Sequence, residues 1–434
     1  MRKLRNPKSL RHLRVVEFFL APDGKLYEGW KTVLASAAVV FFAVGSVVYG
    51  LGVIFEPLRN ELGWSTLVVS IGFSLRSEVG GVAAPFVGAA LDRYGVLPVV
   101  RLGIGTSAIG VLLLSYARSH WVFFTAVTLL ALGTTAAGGQ VGHFATASWF
   151  RARRARAMSL MTLGGALGGI FSFLMALGVE AVGWRNTLRG LALVILLFGF
   201  PLSRRIRSRP EGHHQPLDGI LVCDTKQKTD KREWNIPYRR AIRSSSFKYL
   251  VCWNLFIDFG RLAYLTHLVA FIDRDLGAAP IMAGLSLTVS TGSSLIGRLA
   301  AGHFADRCAM NVVSAFTTIP FVVGVVILAL AVDPWHAYVG AVFGGIGFGA
   351  SIPVRPAMYV DYFGMQAFGR IMGAGRFVST TGGFLGATML GLTVDLNDGS
   401  YSMGWWIVAI LVVVSIPLIL MAKPPVELQK EFEN

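Results

Sequence analysis

The sequence predicts an all-α membrane protein with twelve transmembrane helices in two pseudo-symmetric six-helix bundles. Three observations carry that prediction. Apolar residues make up 54% of the chain and charged residues only 15%, against about 45–50% and about 25% in soluble domains. The apolar residues fall into blocks of roughly 20, enough to cross a bilayer. A Gly-containing Asp-Arg element follows one block in each half of the chain. Backbone groups in lipid must pair internally, which leaves helices or a closed barrel. Runs such as Leu191–Phe198 lack the period of two that barrel strands require, so helices are predicted.

In order, the spans fall near 31–55, 66–91, 97–117, 121–149, 157–180 and 186–203, forming a first bundle over 31–203. A second set falls near 247–272, 279–304, 311–332, 335–363, 368–393 and 402–422, forming a second bundle over 247–422. Residues 1–30 and 423–434 are terminal tails, and 204–246 is a central loop. Basic residues set the orientation. Arg2, Lys3, Arg5, Lys8, Arg11, Arg14, Lys25 and Lys31 precede or open span 1. Arg151, Arg153, Arg154 and Arg156 lie between spans 4 and 5, and eleven Lys or Arg residues crowd the central loop. The opposite connections carry only Arg59, Arg118, Arg185, Arg189 and Arg274. Positive charge stays inside, so both termini and the central loop are predicted to be cytoplasmic, in a plasma (cell inner) membrane. The net charge of +16 therefore reads as topology, and no nucleic-acid partner is expected. The central loop, with Pro210 and Pro216, reads as a partly disordered tether, with anionic-lipid binding as the alternative. No apolar run follows the basic N-terminus until after Trp30, so no cleavable signal peptide is expected. Cys223, Cys252 and Cys308 suggest no structural disulfide.

The repeat consists of Gly88-Ala-Ala-Leu-Asp92-Arg93-Tyr-Gly95 after span 2 and Gly302-His-Phe-Ala-Asp306-Arg307 after span 8. A carboxylate at a helix end, followed by a cation, suits a conformational latch between helices. The residues of that latch are Gly88, Asp92, Arg93, Asp306 and Arg307. The G-x-x-x-D-R-x-G segment resembles the signature loop of the major facilitator superfamily. Finer features resemble its branch of monocarboxylate porters and oxalate–formate exchangers: Glu28-Gly-Trp30, Gly63-Trp64-Ser65, Trp149-Phe150-Arg151-Ala-Arg153-Arg154-Ala-Arg-Ala157, Gly183-Trp184-Arg185 and Asp361-Tyr362-Phe363-Gly364. The resemblance implies two rocking halves, a small-molecule substrate bound between them and a gradient as the driving force, with proton symport and anion exchange both open. It implies a transporter that works as a monomer, touches only substrate and membrane lipid, and needs no cofactor.

Ionisable groups inside spans are costly and mark function. The resemblance assigns Arg298, in span 8, to the substrate carboxylate, and a guanidinium fork suits that task. Tyr49, Gln140 and His143 are further candidates for the substrate cavity. Asp258 and Arg261 sit three apart on span 7, share a helix face and can pair. With Arg76, Glu78 and His267 they are candidates for proton coupling or gating. Arg355 and Arg376 read as anchors or gates near helix ends. The sequence departs from the animal monocarboxylate porters, with Tyr49 where they carry a lysine and Ser294 where they carry an aspartate. The oxalate exchangers' second cation, in span 11, aligns with Ser379. A single central cation suits a monoanion, so a monocarboxylate is expected.

An enzyme is not expected, because no HExxH, GxSxG or P-loop occurs, and no metal site is expected. Gly344-Gly-Ile-Gly-Phe-Gly349 lies within an apolar span, without the strand–helix setting of a dinucleotide loop. Gly164-Gly165-Ala-Leu-Gly168-Gly169 in span 5 suggests close helix approach. The absence of proline between 157 and 180 counts against a drug–proton antiporter.

Overall fold

The structure is a computed structural model that describes residues 19–21, 25–209, 215–219 and 234–432. Most of the basic N-terminal residues, Cys223 and residues 220–233 of the central loop lie outside the described residues. Cys252 and Cys308 are both free.

Each predicted span falls on a helix. Among the described residues, nine helices are long and apolar enough to cross a membrane. One of these runs from 154 to 203. It holds spans 5 and 6 and turns at Gly183, whose φ of 77° lies in the left-handed region open to glycine. Span 2 (Thr66–Tyr94) and span 8 (Pro280–Ala305) are of comparable length, at 29 and 26 residues. The remaining spans are span 3 (Val96–Ser115), span 4 (His120–Trp149), span 7 (Ser245–Arg274), span 9 (Met310–Ala329), span 10 (Pro334–Phe363), span 11 (Phe368–Leu396) and span 12 (Ser402–Met421).

Span 1 is longer than predicted and covers Glu28–Leu62. It carries a π-helical stretch at Val40–Gly45 and a 3₁₀ turn at Leu51–Ile54. It ends where Gly63 adopts a φ of 64°. The reason lies in the polar segment Phe55–Leu62, which extends the helix beyond its apolar part.

Two core clusters correspond to the two halves, one built mainly from residues 35–206 and the other mainly from 236–422. Large apolar side chains such as Phe86, Leu102, Phe173, Leu193 and Ile410 are exposed along the spans, as a lipid-facing belt requires. Gly164 and Gly168 fit the prediction of close approach. A Cβ on Gly164 would sit 2.0 Å from the Ala37 carbonyl oxygen, and one on Gly168 would sit 2.5 Å from the Gly45 Cα. The glycines of span 10 serve packing of the same kind, Gly345 against span 8 at Ser290 and Gly347 against span 9 at Phe321.

The described part of the central loop makes specific contacts with the helix ends. Trp149 Nε1 donates to the Arg207 carbonyl at 2.7 Å, and the Arg209 N–H donates to Ser148 Oγ at 2.9 Å. The Glu28 N–H donates to Gln215 Oε1 at 2.9 Å, which satisfies the start of span 1. Asp218 is buried and accepts from the backbone N–H groups of Arg151, Ala152 and Arg153 at 2.9–3.0 Å. Its φ of 59° is held in the left-handed region by those three bonds. These polar groups dock on helix ends. Asp218→Ala is expected to cost about 1.5–3 kcal/mol, the worth of a hydrogen bond to a charged group, and to lower the thermal midpoint in detergent. An unchanged midpoint would show that the loop merely rests there. In the second half, Ile236 bonds the end of span 10 at Phe363, and Gln429 of the C-terminal helix Val426–Glu431 donates to the Asp361 and Tyr362 carbonyls.

Candidate functional site

The loop between spans 4 and 5, the docked central loop and the ends of spans 2, 8, 10 and 12 lie on one face, here termed the basic face. The two halves meet there through matched joints. Asp92, at the end of span 2, accepts from the N–H groups of Gly369 (2.8 Å) and Arg370 (3.0 Å) at the start of span 11, and from Arg370 Nε at 3.0 Å. Asp306, after span 8, accepts from the Ala155 N–H at 2.9 Å and pairs with Arg156 Nε at the start of span 5. Each carboxylate caps a helix of the other half, where orphan donors and the positive end of the helix dipole favour an anion. Burial pushes the Asp306 carboxyl above its ordinary range, and Arg156 pulls it back.

Arg93 and Arg307 do not form these joints. Arg93 lies over the Tyr94 ring, and Arg307 contacts His303 on its own helix. The cations of the latch come from the opposite half, as Arg370 and Arg156. Gly88 belongs to the first joint through backbone contact, since a Cβ there would lie 1.9 Å from the Gly369 carbonyl oxygen. Gln140 belongs to this joint too. It is buried, and its amide donates to the Gly369 carbonyl at 3.0 Å and more weakly to Ala84. The sequence placed Gln140 in the substrate cavity; the structure places it in the seam, where its donor is already committed.

The seam continues away from the basic face to Gly81 against Thr380 and to Thr162 against Arg298. At that level the second half presents a layer of charge. Asp258, 2% exposed at its side chain, accepts from Arg261 Nε at 2.8 Å and from Arg355 Nη1 at 2.8 Å. The predicted pair on span 7 therefore exists and has a third member from span 10. Arg376 of span 11 is exposed and within electrostatic reach of Asp258, Arg261 and Arg355. Arg298 lies within the same reach of Arg261 and of Tyr49 in the first half.

Arg298 is 6% exposed and donates from Nη1 to the Thr162 carbonyl at 2.6 Å, while its Nε has no hydrogen-bond partner. Among the described residues it forms no ion pair. A buried cation without a counter-ion is costly, and an arriving anion relieves that cost. His143 is buried with Nδ1 unbonded and lies within electrostatic reach of Arg376 across the halves.

Other candidates lie elsewhere. His267 Nε2 bonds the Ala387 carbonyl of span 11 at 2.9 Å and its ring meets Tyr401, a contact within the second half. Arg76 and Glu78 are partly exposed on span 2 and, among the described residues, form no ion pair. Sequence reasoning treated Arg355 and Arg376 as anchors or gates. The available signal was depth, because Arg298, Arg355 and Arg376 all sit about two turns from a basic-face helix end.

The Major Facilitator Superfamily profile matches residues 37–266 and 250–433. Monocarboxylate transporter 13 of Bos taurus is 27% identical over 398 residues, covering 88% of this chain and 85% of that protein. Among solved structures, the E. coli fucose:proton symporter superposes with a TM-score of 0.69 at 14% identity, over 90% of this chain and 98% of that one. The human organic anion transporter MFSD10 superposes with a TM-score of 0.65 at 14% identity, over 96% of this chain and 100% of that one. The chain belongs to the major facilitator superfamily, a multi-pass integral membrane transporter and not an enzyme.

Proposed function

We propose that this major facilitator chain moves a small organic anion across the plasma membrane by alternating access, binding the anion's carboxylate at Arg298. The observation that carries the reading is the Arg298 guanidinium, buried at the edge of the seam with an unbonded Nε and, among the described residues, no carboxylate paired to it. Four arginines against one aspartate leave the layer strongly positive. The names of the bovine monocarboxylate transporter and the human organic anion transporter point the same way.

The basic face is cytoplasmic by the distribution of Lys and Arg. The joints at Asp92 and Asp306 then close the cytoplasmic side, and the anion enters from outside. Release requires both carboxylates to leave their helix ends as the halves rock apart. Each half contributes to the site within one chain, so a monomer suffices. A proton or a counter-anion gradient supplies the work. Tyr49 and His143 complete the site from the first half. The sequence, with one central cation in view, favoured a monocarboxylate; the additional arginines remove that argument.

Purified protein in liposomes, offered radiolabelled carboxylates under an imposed pH gradient and separately with internal anion, is expected to show saturable uptake under one of the two regimes. Uptake of sugars or cationic drugs with no response to any carboxylate would overturn the reading.

A further inference from the structure

We propose that the first half carries a binding site for an anionic phospholipid, with one acyl chain in an apolar groove between spans 1 and 5 and the phosphate resting on Lys25 and Lys31. The groove has a volume of about 470 Å³ and is lined by aliphatic and aromatic residues. Its floor is made of small residues, Ala37 and Ala38 of span 1 and Gly164 of span 5. The two backbones touch there, since a Cβ on Gly164 would sit 2.0 Å from the Ala37 carbonyl oxygen. Leu34 and Leu167 line the groove and are exposed. Toward the basic face, the chain before span 1 folds back along it. Leu20 and Leu26 form a bridge, and the Tyr27 N–H donates to the Phe19 carbonyl at 3.0 Å. The Phe19 ring meets Trp30 at 5.1 Å, and Phe19, Leu26 and Trp30 give the groove an apolar lip at that end.

Depth, length and charge select the occupant. The groove opens between exposed apolar side chains of two membrane spans, so the bilayer supplies what fills it. From Trp30 to Phe41, span 1 rises about 16 Å. That is close to half of a hydrocarbon core of about 30 Å, the reach of one acyl chain from one leaflet. The lip is basic. Lys31 stands one turn before Leu34 on the same helix face, and Lys25 is exposed beside Leu26. Glu28 lies only loosely against Lys31, at 3.9 Å, and leaves that ammonium able to take a phosphate. Lysine stems run along apolar surface while their heads reach the interface, and basic pockets between membrane helices hold anionic headgroups. The rival occupant is the chain's own segment 1–18, which lies outside the described residues. It carries Arg2, Lys3, Arg5, Lys8, Arg11 and Arg14 against Glu17, and would bring like charge to a basic lip. Span 5 also carries Ala155 and Arg156 of the Asp306 joint, so the lipid lies along a helix of the gate.

The test uses the tryptophan in the groove. The full chain is placed in phosphatidylcholine liposomes containing rising fractions of acyl-brominated phosphatidylglycerol or, separately, acyl-brominated phosphatidylcholine. The emission of Trp30 is taken as the difference between wild type and Trp30→Phe. Half-quenching is expected with phosphatidylglycerol at about a tenth of the fraction that phosphatidylcholine requires, the preference that two lysines near the membrane surface supply. Ala38→Phe fills the groove from its exposed side and is expected to abolish that preference. Lys25→Gln combined with Lys31→Gln leaves the groove open and is expected to bring phosphatidylglycerol to the phosphatidylcholine level. Equal quenching by the two lipids in the wild type would overturn the proposal and show ordinary surrounding lipid only. No quenching by either would overturn it in favour of segment 1–18 in the groove. An unchanged preference in Ala38→Phe or in the double lysine variant would also overturn it. None of these outcomes bears on the anion reading of Arg298, which is tested by transport.

Discussion

Arg298→Ala is expected to abolish carboxylate uptake while the protein still inserts, folds and closes at the basic face. Arg298 is buried beside the seam, and its Nε waits for an acceptor. Truncating one side of a buried, hydrogen-bonded charge pair costs about 2–5 kcal/mol, roughly 30-fold to several thousandfold in apparent affinity. Arg298→Lys keeps the charge but loses the planar fork, so it retains a weakened activity. The competing role for Arg298 is that of a rivet, through its bond to the Thr162 carbonyl across the halves. The two roles separate by readout. A rivet, once removed, changes how often the halves part and leaves anion binding to the outward form intact. A receptor, once removed, leaves the halves alone and erases protection by anions against thermal unfolding. Full retained uptake in Arg298→Ala would contradict the assignment.

Gly88→Val is expected to open the seam at the basic face. A Cβ on Gly88 falls 1.9 Å from the Gly369 carbonyl oxygen and 2.4 Å from its carbon, both backbone atoms that cannot rotate aside. Overpacking of this kind costs about 1–3 kcal/mol, so the ratio of closed to open forms falls by roughly five- to hundredfold. The counterpart on span 8 behaves differently. A Cβ on Gly302 meets first the Ser159 hydroxyl, which can rotate, and then the Ser159 Cβ at 2.8 Å and the Ala155 carbonyl oxygen at 3.0 Å, which cannot, so Gly302→Ala is expected to be milder than Gly88→Ala but not free of cost. Spin labels on the basic-face ends of spans 2 and 11 measure the difference as a longer mean separation in Gly88→Val. Identical distance distributions in mutant and wild type would show that the contact bears no part of the closure.

These predictions rest on features of unequal visibility in the sequence. The helices were legible because twenty-residue apolar blocks admit no other reading in a bilayer. The Asp258–Arg261 pair was legible because residues three apart share a helix face. Asp92 and Asp306 were legible as a repeat, yet their partners were not. Gly369 lies 277 positions from Asp92, and nothing local says which helix end a carboxylate will cap. The neighbouring arginines, Arg93 and Arg307, looked like natural partners but turn toward their own helices. Arg355 was legible as an anchor or gate, yet its partner was not, since that partner is Asp258, 97 positions away on another span. Gln140 and His143 share a helix and a spacing of three. The packing of span 11 separates them, engaging the amide of Gln140 and leaving His143 Nδ1 without a hydrogen-bond partner. Local periodicity identifies elements and same-helix pairs, whereas the site is made by faces of different helices meeting.

In the proposed mechanism the joints and the arginine layer form one device. The seam runs from the capped helix ends at Asp92 and Asp306 up to Arg298, so an anion that settles on the layer sits directly on the closed gate. The most direct test is a structure of the protein determined with the best-transported anion bound. The account predicts the anion's carboxylate on Arg298, with the joints at Asp92 and Asp306 intact in the outward form and parted in the inward form. An anion bound away from Arg298, with that side chain still joined only to Thr162, would contradict it.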